Sequence, residues 1–186
     1  MTDSDQPFED PFAIVQRDLV VATIDLFSAY SVGLTHVYQG PDLPSRPDDE
    51  KAVMAVIGYA GETLRGALVL LTTKEKVRDW QPGFIEPNAP PEVIHDTVGE
   101  FANMLLGRLK RALLERGATF FLSTPTTASG TRLNLPSLHG GFSAWHRFEG
   151  PTGRIDVRID TTFDRGFAFN TAPREAAATA GDMMLF

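Results

Sequence analysis

Two stretches of the chain repeat their hydrophobic residues with the period of a helix. Residues 13–32 space their aliphatic side chains at mostly helical intervals and predict a first helix. Asp96–Gly117 places its apolar residues along one side of a longer amphipathic helix. Pro90 and Pro91 stand where a helix N-terminus accepts proline, and Gly117 is a typical end signal. The two patterns therefore predict two main helices.

Strand-length apolar runs lie between and after these helices. Residues 51–60 and 65–73 flank the sequence GETLRG, whose glycines suit a hairpin turn. Residues 38–51 are rich in proline and aspartate and predict a loop. Residues 118–126 predict a strand that ends at Pro125 and is followed by another loop.

The last clear element is a hairpin in which residues 141–149 and 154–163 join through the turn GPTG. Its second strand alternates strictly, which predicts one face in the core and one face in water. The two sets are Ile155, Val157 and Ile159 on the apolar side and Asp156, Arg158 and Asp160 on the polar side. Aromatic residues predicted to lie in the core are Phe120, Phe121, Trp145 and Phe148.

The order helix, hairpin, helix, strand, hairpin predicts an α+β domain. Strands that neighbour one another in sequence favour a mostly antiparallel or mixed sheet, with the two main helices packed on it. The sequence KEKVRDW predicts one or two further helical turns. A chain of 186 residues, 42% of them hydrophobic, suits one domain. We assign that domain to residues 13–169, between a flexible N-terminal segment at 1–12 and an alanine-rich tail at 170–186.

Composition excludes several classes of function. The chain has no cysteine, which excludes disulfides and thiolate catalysis. Its four histidines lie at no metal-ligand spacing and no Gly-x-Ser-x-Gly motif occurs, so we predict neither a metal site nor a hydrolase triad. A formal charge of −7 argues against nucleic-acid binding. The sequence has no secretory signal and no apolar run long enough to span a membrane, so the chain is predicted to be cytoplasmic.

One ridge of the long helix carries residues that a helix built only for solubility would avoid. Asp96, Asn103 and Gly107 fall within about 60° of Glu100, opposite the apolar face. A polar face is ordinary for a surface helix. An asparagine in mid-helix, however, costs roughly 0.5 kcal/mol relative to alanine, and a glycine costs about 1 kcal/mol. The ridge is therefore a candidate for contact or catalysis, and Gly107 leaves a flat spot for a close approach.

An amide beside a carboxylate, with no metal, histidine or serine, allows only limited chemistry. A carboxamide accepts a hydrogen bond with its oxygen and donates with its nitrogen, so it can aim a water molecule without being a strong base. Such a residue suffices when the electrophile is already activated. An aspartyl phosphate on a partner protein qualifies, because its leaving group is a carboxylate and the partner's Mg²⁺ neutralises the phosphoryl oxygens.

The ridge also belongs to a longer spaced pattern. An acidic residue is followed by Glu four residues on, Asn three residues later, Gly four residues after that, and then a Ser-x-Pro-Thr segment. These positions are Asp96, Glu100, Asn103, Gly107, Ser123, Pro125 and Thr126. The pattern closely resembles the signature of CheX-type chemotaxis phosphatases in the wider CheC/CheX/FliY group. The similarity is densest over residues 92–130, and the flanking helix, hairpin and terminal strands also fit.

This resemblance implies a CheC/CheX-like fold and dephosphorylation of a phosphorylated CheY-like response regulator. By the family's mechanism, Asn103 would hold the attacking water in the receiver's active site, and Glu100 would pair with the receiver's lysine. Asp96 and Gly107 would be contact positions. The resemblance implies no cofactor of the chain's own, Mg²⁺ in the partner receiver, and a homodimer.

Two departures from the family pattern leave an alternative open. Family members with two active helices repeat Glu-x-x-Asn in the first half, but this chain has Asp25 and Ser28 there, so we expect one site per chain. Residues 72–93 are also unlike the apolar helix usual at that place. The alternative is a non-catalytic interaction or scaffold module that binds a signalling protein.

Overall fold

The structure is a computed structural model, and it describes residues 9–47, 49–80, 85–86, 88–131, 133, 140–151 and 153–170. These residues form three helices and a seven-stranded antiparallel sheet, which confirms the predicted α+β class. The elements are α1 (Pro11–Ser28), β1 (Thr35–Gly40), β2 (Ala52–Ala60), β3 (Leu64–Thr73), α2 (Lys74–Trp80), α3 (Pro91–Glu115), β4 (Phe121–Leu122), β5 (Thr126–Gly130), β6 (Phe142–Gly150) and β7 (Gly153–Phe163). Predictions for residues 1–8 and 171–186 lie outside this description.

The long helix begins and ends close to where its sequence signals predict, whereas the first helix begins two residues before the predicted range 13–32 and ends four residues before its end. α1 starts at Pro11, where the Asp10 side chain accepts a hydrogen bond from a backbone N–H two residues on, at 3.1 Å. α3 has Pro91 in its first turn. It ends before Gly117, whose φ of +87° is a left-handed conformation that glycine adopts readily. None of the described helices combines the length and apolar character needed to cross a bilayer.

The sheet has the order β1-β6-β7-β3-β2, with β4 and β5 pairing one after the other along the outer edge of β2. α1 and α3 pack against each other, and α3 lies across β2. The main core fills the space between these helices and the sheet. Ile155, Val157 and Ile159 of β7 are fully buried in it, as their alternation predicted.

Two strands were not predicted, and both lie at sheet edges. β1 pairs with β6, although its residues 38–40 fell in a predicted loop. Its side chains alternate only between exposed and half-buried, so it lacks the apolar pattern of a core strand. β5 pairs with β2 in the segment that was predicted to be a loop after Pro125.

Pro125 interrupts the edge strand rather than ending it, so that prediction was wrong. Leu122 faces Tyr59 and Thr126 faces Val56, which leaves three residues of the edge segment opposite two of β2. This is a one-residue bulge, a position where an edge strand tolerates proline. Ser123 bridges the gap, because its backbone N–H donates to the Gly58 carbonyl and its Oγ accepts from the Gly58 N–H, both at 2.9 Å.

The polar side of β7 does not face water, and that prediction was also wrong. Asp156, Arg158 and Asp160 are buried. The Asp156 carboxylate accepts hydrogen bonds from Arg46 Nη1 at 2.8 Å and from Arg147 Nε at 2.6 Å. Because Arg46 comes from the loop after β1, that loop covers the second face of the sheet at this point. β7 lies in the middle of the sheet and is covered on both faces. The alternation of apolar and polar residues along the strand does not by itself reveal the second cover.

The prediction that four aromatic residues lie in the core was right for three of them. Phe120, Trp145 and Phe148 are buried, as predicted. Phe121 is 81% exposed, so its predicted place in the core was wrong. Successive side chains in an extended segment point to opposite sides, so burial of Phe120 turns Phe121 outward.

Candidate functional site

Burial of one face of α3 fixes the direction of the other. The buried face comprises Val98, Phe101, Ala102, Leu105, Leu109 and Leu113, each no more than 1% exposed. This face is the predicted one, and it turns the opposite ridge toward solvent. Asp96, Glu100, Asn103 and Gly107 are all exposed. Asn103 lies three residues after Glu100, so the two side chains sit one helical turn apart.

The polar side chains of the ridge have no partner in the described part of the chain. Asp96, Glu100 and Asn103 make no hydrogen bond and no ion pair with any described residue. A Cβ built on Gly107 would meet no atom within 4 Å, so the ridge is open at this point too. The carboxylates and the amide are therefore available to another molecule.

One side of α3 rests on the bulged edge strand. A Cβ at Gly99 would lie 3.6 Å from Pro125 Cβ and 3.5 Å from Thr127 Cγ2, so the backbones approach closely at that turn. Gly99 directly precedes Glu100. The Ser-x-Pro-Thr segment of the sequence pattern thus packs beside the turn that carries the ridge, which explains why the two parts of the pattern occur together.

The other side of α3 rests on α1. Arg116 Nε donates to Asp18 Oδ2 at 2.8 Å and Arg116 Nη2 donates to Asp18 Oδ1 at 3.2 Å, which ties the end of α3 to the middle of α1. The Tyr30 hydroxyl also donates to Met104 Sδ at 3.5 Å. These contacts hold α3 on two sides and leave its ridge exposed.

The first helix has no amide at the position that corresponds to Asn103. Asp25 and Ser28 are both exposed on α1, at the positions that the sequence pattern compares with Glu100 and Asn103. A serine hydroxyl is shorter than a carboxamide and carries a single polar atom, so it reaches less far into a partner. The arrangement supports one ridge per chain.

The shape of the ridge limits the kind of molecule it can act on. Small molecules bind in concave sites that bury most of their surface. A helix ridge is convex, and it holds neither an electrophile nor a group that activates one. It therefore needs a partner that brings both in a cleft which the ridge can enter. No group of three or more His, Asp or Glu side chains among the described residues could hold a metal ion.

Sequence reasoning missed a pair of histidines that the fold brings together. His36 Nε2 and His146 Nδ1 lie 3.2 Å apart on the adjoining strands β1 and β6. Burial and, to a smaller extent, the neighbouring His36 lower the pKa of His146 to about 4. Burial also lowers the pKa of His36. The two residues are far apart in sequence and β1 was not predicted, so no local signal could have paired them.

Comparison with known sequences identifies one family. Residues 53–148, more than half of the chain, match the model of the family described as chemotaxis phosphatase CheX. This stretch includes the whole of α3 and the bulged edge strand. A comparison with curated protein sequences finds no match.

Solved structures share the fold at low sequence identity. Chemotaxis protein CheX from Vibrio vulnificus superposes with a TM-score of 0.70 and 21% identity, over 80% of this chain and 99% of that chain. A CheC-like superfamily protein from Shewanella sp. PV-4 gives 0.69 and 19%, over 80% and 97%. A chain of the CheX–CheY–BeF3–Mg²⁺ complex from Borrelia burgdorferi gives 0.59 and 15%, over 82% and 97%.

Proposed function

The chain belongs to the CheX family of chemotaxis phosphatases, and from that premise we propose that it hydrolyses the aspartyl phosphate of a CheY-like response regulator. The observation that carries the proposal is the exposed Asn103, unpaired among the described residues and one turn from Glu100 on a convex ridge. A ridge of this kind can enter the concave phosphorylation site of a receiver domain.

Asn103 acts by positioning water. Its amide oxygen accepts a hydrogen bond from a water molecule and holds it in line with the bond between phosphorus and the aspartyl oxygen. Water attacks phosphorus, the bond to the aspartyl oxygen breaks, and the receiver's carboxylate leaves with the electron pair. Inorganic phosphate is released, and the proton of the attacking water passes to phosphate or solvent. No strong base is needed, because the leaving carboxylate is stable and charge stabilisation comes from the receiver.

Glu100 anchors the receiver. Its carboxylate pairs with the lysine of the receiver's active site and so sets the angle at which Asn103 enters. The one-turn spacing supports these separate roles for Glu100 and Asn103, because two side chains on the same ridge can reach two neighbouring groups of one partner. Asp96 and Gly107 lie on the same exposed ridge and complete the contact.

The Borrelia burgdorferi complex supports the choice of partner and of metal. That structure contains CheX with CheY, BeF3 and Mg²⁺. By analogy, this chain acts on a CheY-like receiver that brings its own Mg²⁺, and it needs no cofactor of its own. The proposal also keeps the expectation of a homodimer, which the family resemblance implies, and of a cytoplasmic location, which fits a cysteine-free chain.

The Asn103→Ala variant tests the proposal directly. Loss of the water-positioning amide should slow decay of the phospho-receiver by roughly 10²-fold or more, while the exposed position leaves the fold intact. The assay follows the phosphorylated receiver with and without the protein. Ser28→Ala is the matched control, because it removes an exposed polar group from α1, and it should retain the parent rate.

Two results would contradict the assignment in different ways. A parental rate for Asn103→Ala would remove the catalytic role of the amide. If the parent protein binds the phospho-receiver without accelerating its decay, the ridge serves a non-catalytic interaction module instead.

A further inference from the structure

The half of α3 beyond Gly107 differs in charge from the half before it. The first half presents the carboxylates of Glu92, Asp96 and Glu100, and the second half presents the cations of Arg108, Lys110 and Arg111 with a single carboxylate, Glu115. Arg108 and Arg111 are exposed and make no ion pair with any residue that the structure describes. On a chain with a net charge of −7, this basic half is a local feature.

Exposed apolar side chains lie beside these cations. Phe121 on β4 is 81% exposed and Leu114 on α3 is 44% exposed. Lys110 Nζ lies 5.5 Å from the centroid of the Phe121 ring, so the aromatic ring and the Lys110 side of α3 form one continuous surface, whereas Arg108 lines the groove toward α1. Aromatic side chains are enriched at protein interfaces, and an aromatic ring this exposed, with a cation beside it, is a candidate contact.

This surface lies within reach of any protein that docks on Asn103. Lys110 is seven residues beyond Asn103, which is about 10 Å along a helix. A standard protein interface buries about 800 Å² on each partner, a patch with a radius of roughly 15 Å. A receiver centred on Asn103 therefore reaches Lys110, whose ammonium group lies beside the Phe121 ring.

We propose that Lys110, Arg111, Leu114 and Phe121 form a docking patch that binds an apolar and acidic surface of the receiver, next to its phosphorylation site. The inference rests on the proposed function, because it takes the same receiver as its occupant. That receiver site must carry carboxylates, since Mg²⁺ takes oxygen ligands. A chain of net charge −7 would repel such a site unless cations faced it, and the patch supplies them.

The docking patch also gives a basis for partner choice. Receivers share the chemistry of an aspartyl phosphate with Mg²⁺, so Asn103 and Glu100 by themselves distinguish poorly among them. Side chains outside the phosphorylation site can distinguish them, because an apolar contact with Phe121 forms only where the receiver presents a complementary surface. The patch acts on affinity and leaves the chemical step to the ridge.

The test measures kcat and KM for the full-length protein against CheY-like receivers of its own organism, each phosphorylated with acetyl phosphate. Phe121→Ser should raise KM about 10-fold and leave kcat unchanged. Arg111→Glu should raise KM as well and flatten the rise of KM with salt. Val37→Ser is the matched control, because Val37 is 48% exposed on β1 at the opposite edge of the sheet. This control should keep the parental KM.

Binding to a receiver activated with beryllofluoride, measured by calorimetry, separates the two proposals. If the parent accelerates decay and Phe121→Ser has the parental KM and affinity, the docking patch is wrong and the phosphatase proposal stands. If the parent binds without accelerating decay and Phe121→Ser weakens binding about 10-fold, the patch stands and the catalytic proposal falls. If Phe121→Ser changes the sedimentation behaviour of the protein and not KM, the surface joins copies of this chain and the inference is overturned.

Discussion

Two rows of polar side chains have a regular spacing in the sequence, one on α3 and one on β7, and the fold gives them opposite environments. The α3 row consists of Asp96, Glu100 and Asn103, and the β7 row consists of Asp156, Arg158 and Asp160. Both rows were predicted to face water. The α3 row is exposed and unpaired among the described residues, whereas the β7 row is buried and paired.

The difference follows from what lies opposite each row. β7 is flanked by β6 and β3, with the main core on one face and the loop after β1 on the other. Its charges are matched within the protein, since Arg158 pairs with Asp160 at 2.9 Å and Ser143 Oγ donates to Asp160 at 2.6 Å. A paired buried charge is part of the fold, while an unpaired exposed one is free to bind another molecule.

The largest expected effect comes from breaking the β7 row. Asp156→Ala leaves Arg46 and Arg147, whose side chains are only 11% and 12% exposed, without their shared carboxylate, and should lower the free energy of unfolding by about 3–5 kcal/mol. Urea denaturation followed by circular dichroism measures it. Glu100→Ala removes the same kind of group from the exposed row and should stay within about 0.5 kcal/mol of the parent. Equal losses for the two variants would contradict the contrast between the rows.

A second buried polar group, His146, should make stability depend on pH. Burial holds its pKa at about 4 in the folded protein, below the ordinary value of 6.5. Between these two values the unfolded chain takes up a proton that the folded chain does not, so stability falls as pH falls from about 6.5 to about 4. The loss amounts to about 3 kcal/mol at most.

Thermal or urea unfolding across this pH range measures the effect. His146→Phe keeps a ring on β6 and removes the titrating group, so its stability should lose this component of the pH dependence. An identical pH profile for the parent and this variant would show that His146 is not the cause.

The sequence predicted local features well and the surroundings of strands poorly. The α3 helix and its ends follow from side chains within a few turns, so Pro91 and Gly117 marked them correctly. The environment of Asp156 depends on Arg46, which lies 110 residues away, and no periodicity encodes that contact. The sequence did not predict β1 for a related reason, because this segment is a strand only through its pairing with β6.

The candidate site was predictable for the same reason that α3 was. Helical geometry alone sets Glu100 and Asn103 on one ridge, and the buried opposite face turns that ridge outward. Phe121 was not predictable, because two successive phenylalanines give no sign of which one points inward.

A smaller effect should come from Glu100, the carboxylate of the exposed row that we propose docks the receiver. Glu100→Ala should weaken binding of a beryllofluoride-activated receiver by at least about 10-fold, since it leaves the receiver's lysine unpaired in the interface. Calorimetric titration measures the affinity. Asp25→Ala is the control, because it removes an exposed carboxylate from α1 and changes the net charge equally. If both variants bind like the parent, Glu100 has no docking role.

The smallest expected effect concerns Gly107, where stability and binding should change in opposite directions. A Cβ at this position meets no atom within 4 Å, so Gly107→Ala introduces no clash and should raise the free energy of unfolding by about 0.5–1 kcal/mol through helix propensity. The added methyl group stands on the ridge and should weaken receiver binding severalfold by holding the partner away. Urea denaturation and calorimetric titration of this one variant test both effects. A variant that is more stable and binds as well as the parent would show that the receiver does not approach the helix at this turn.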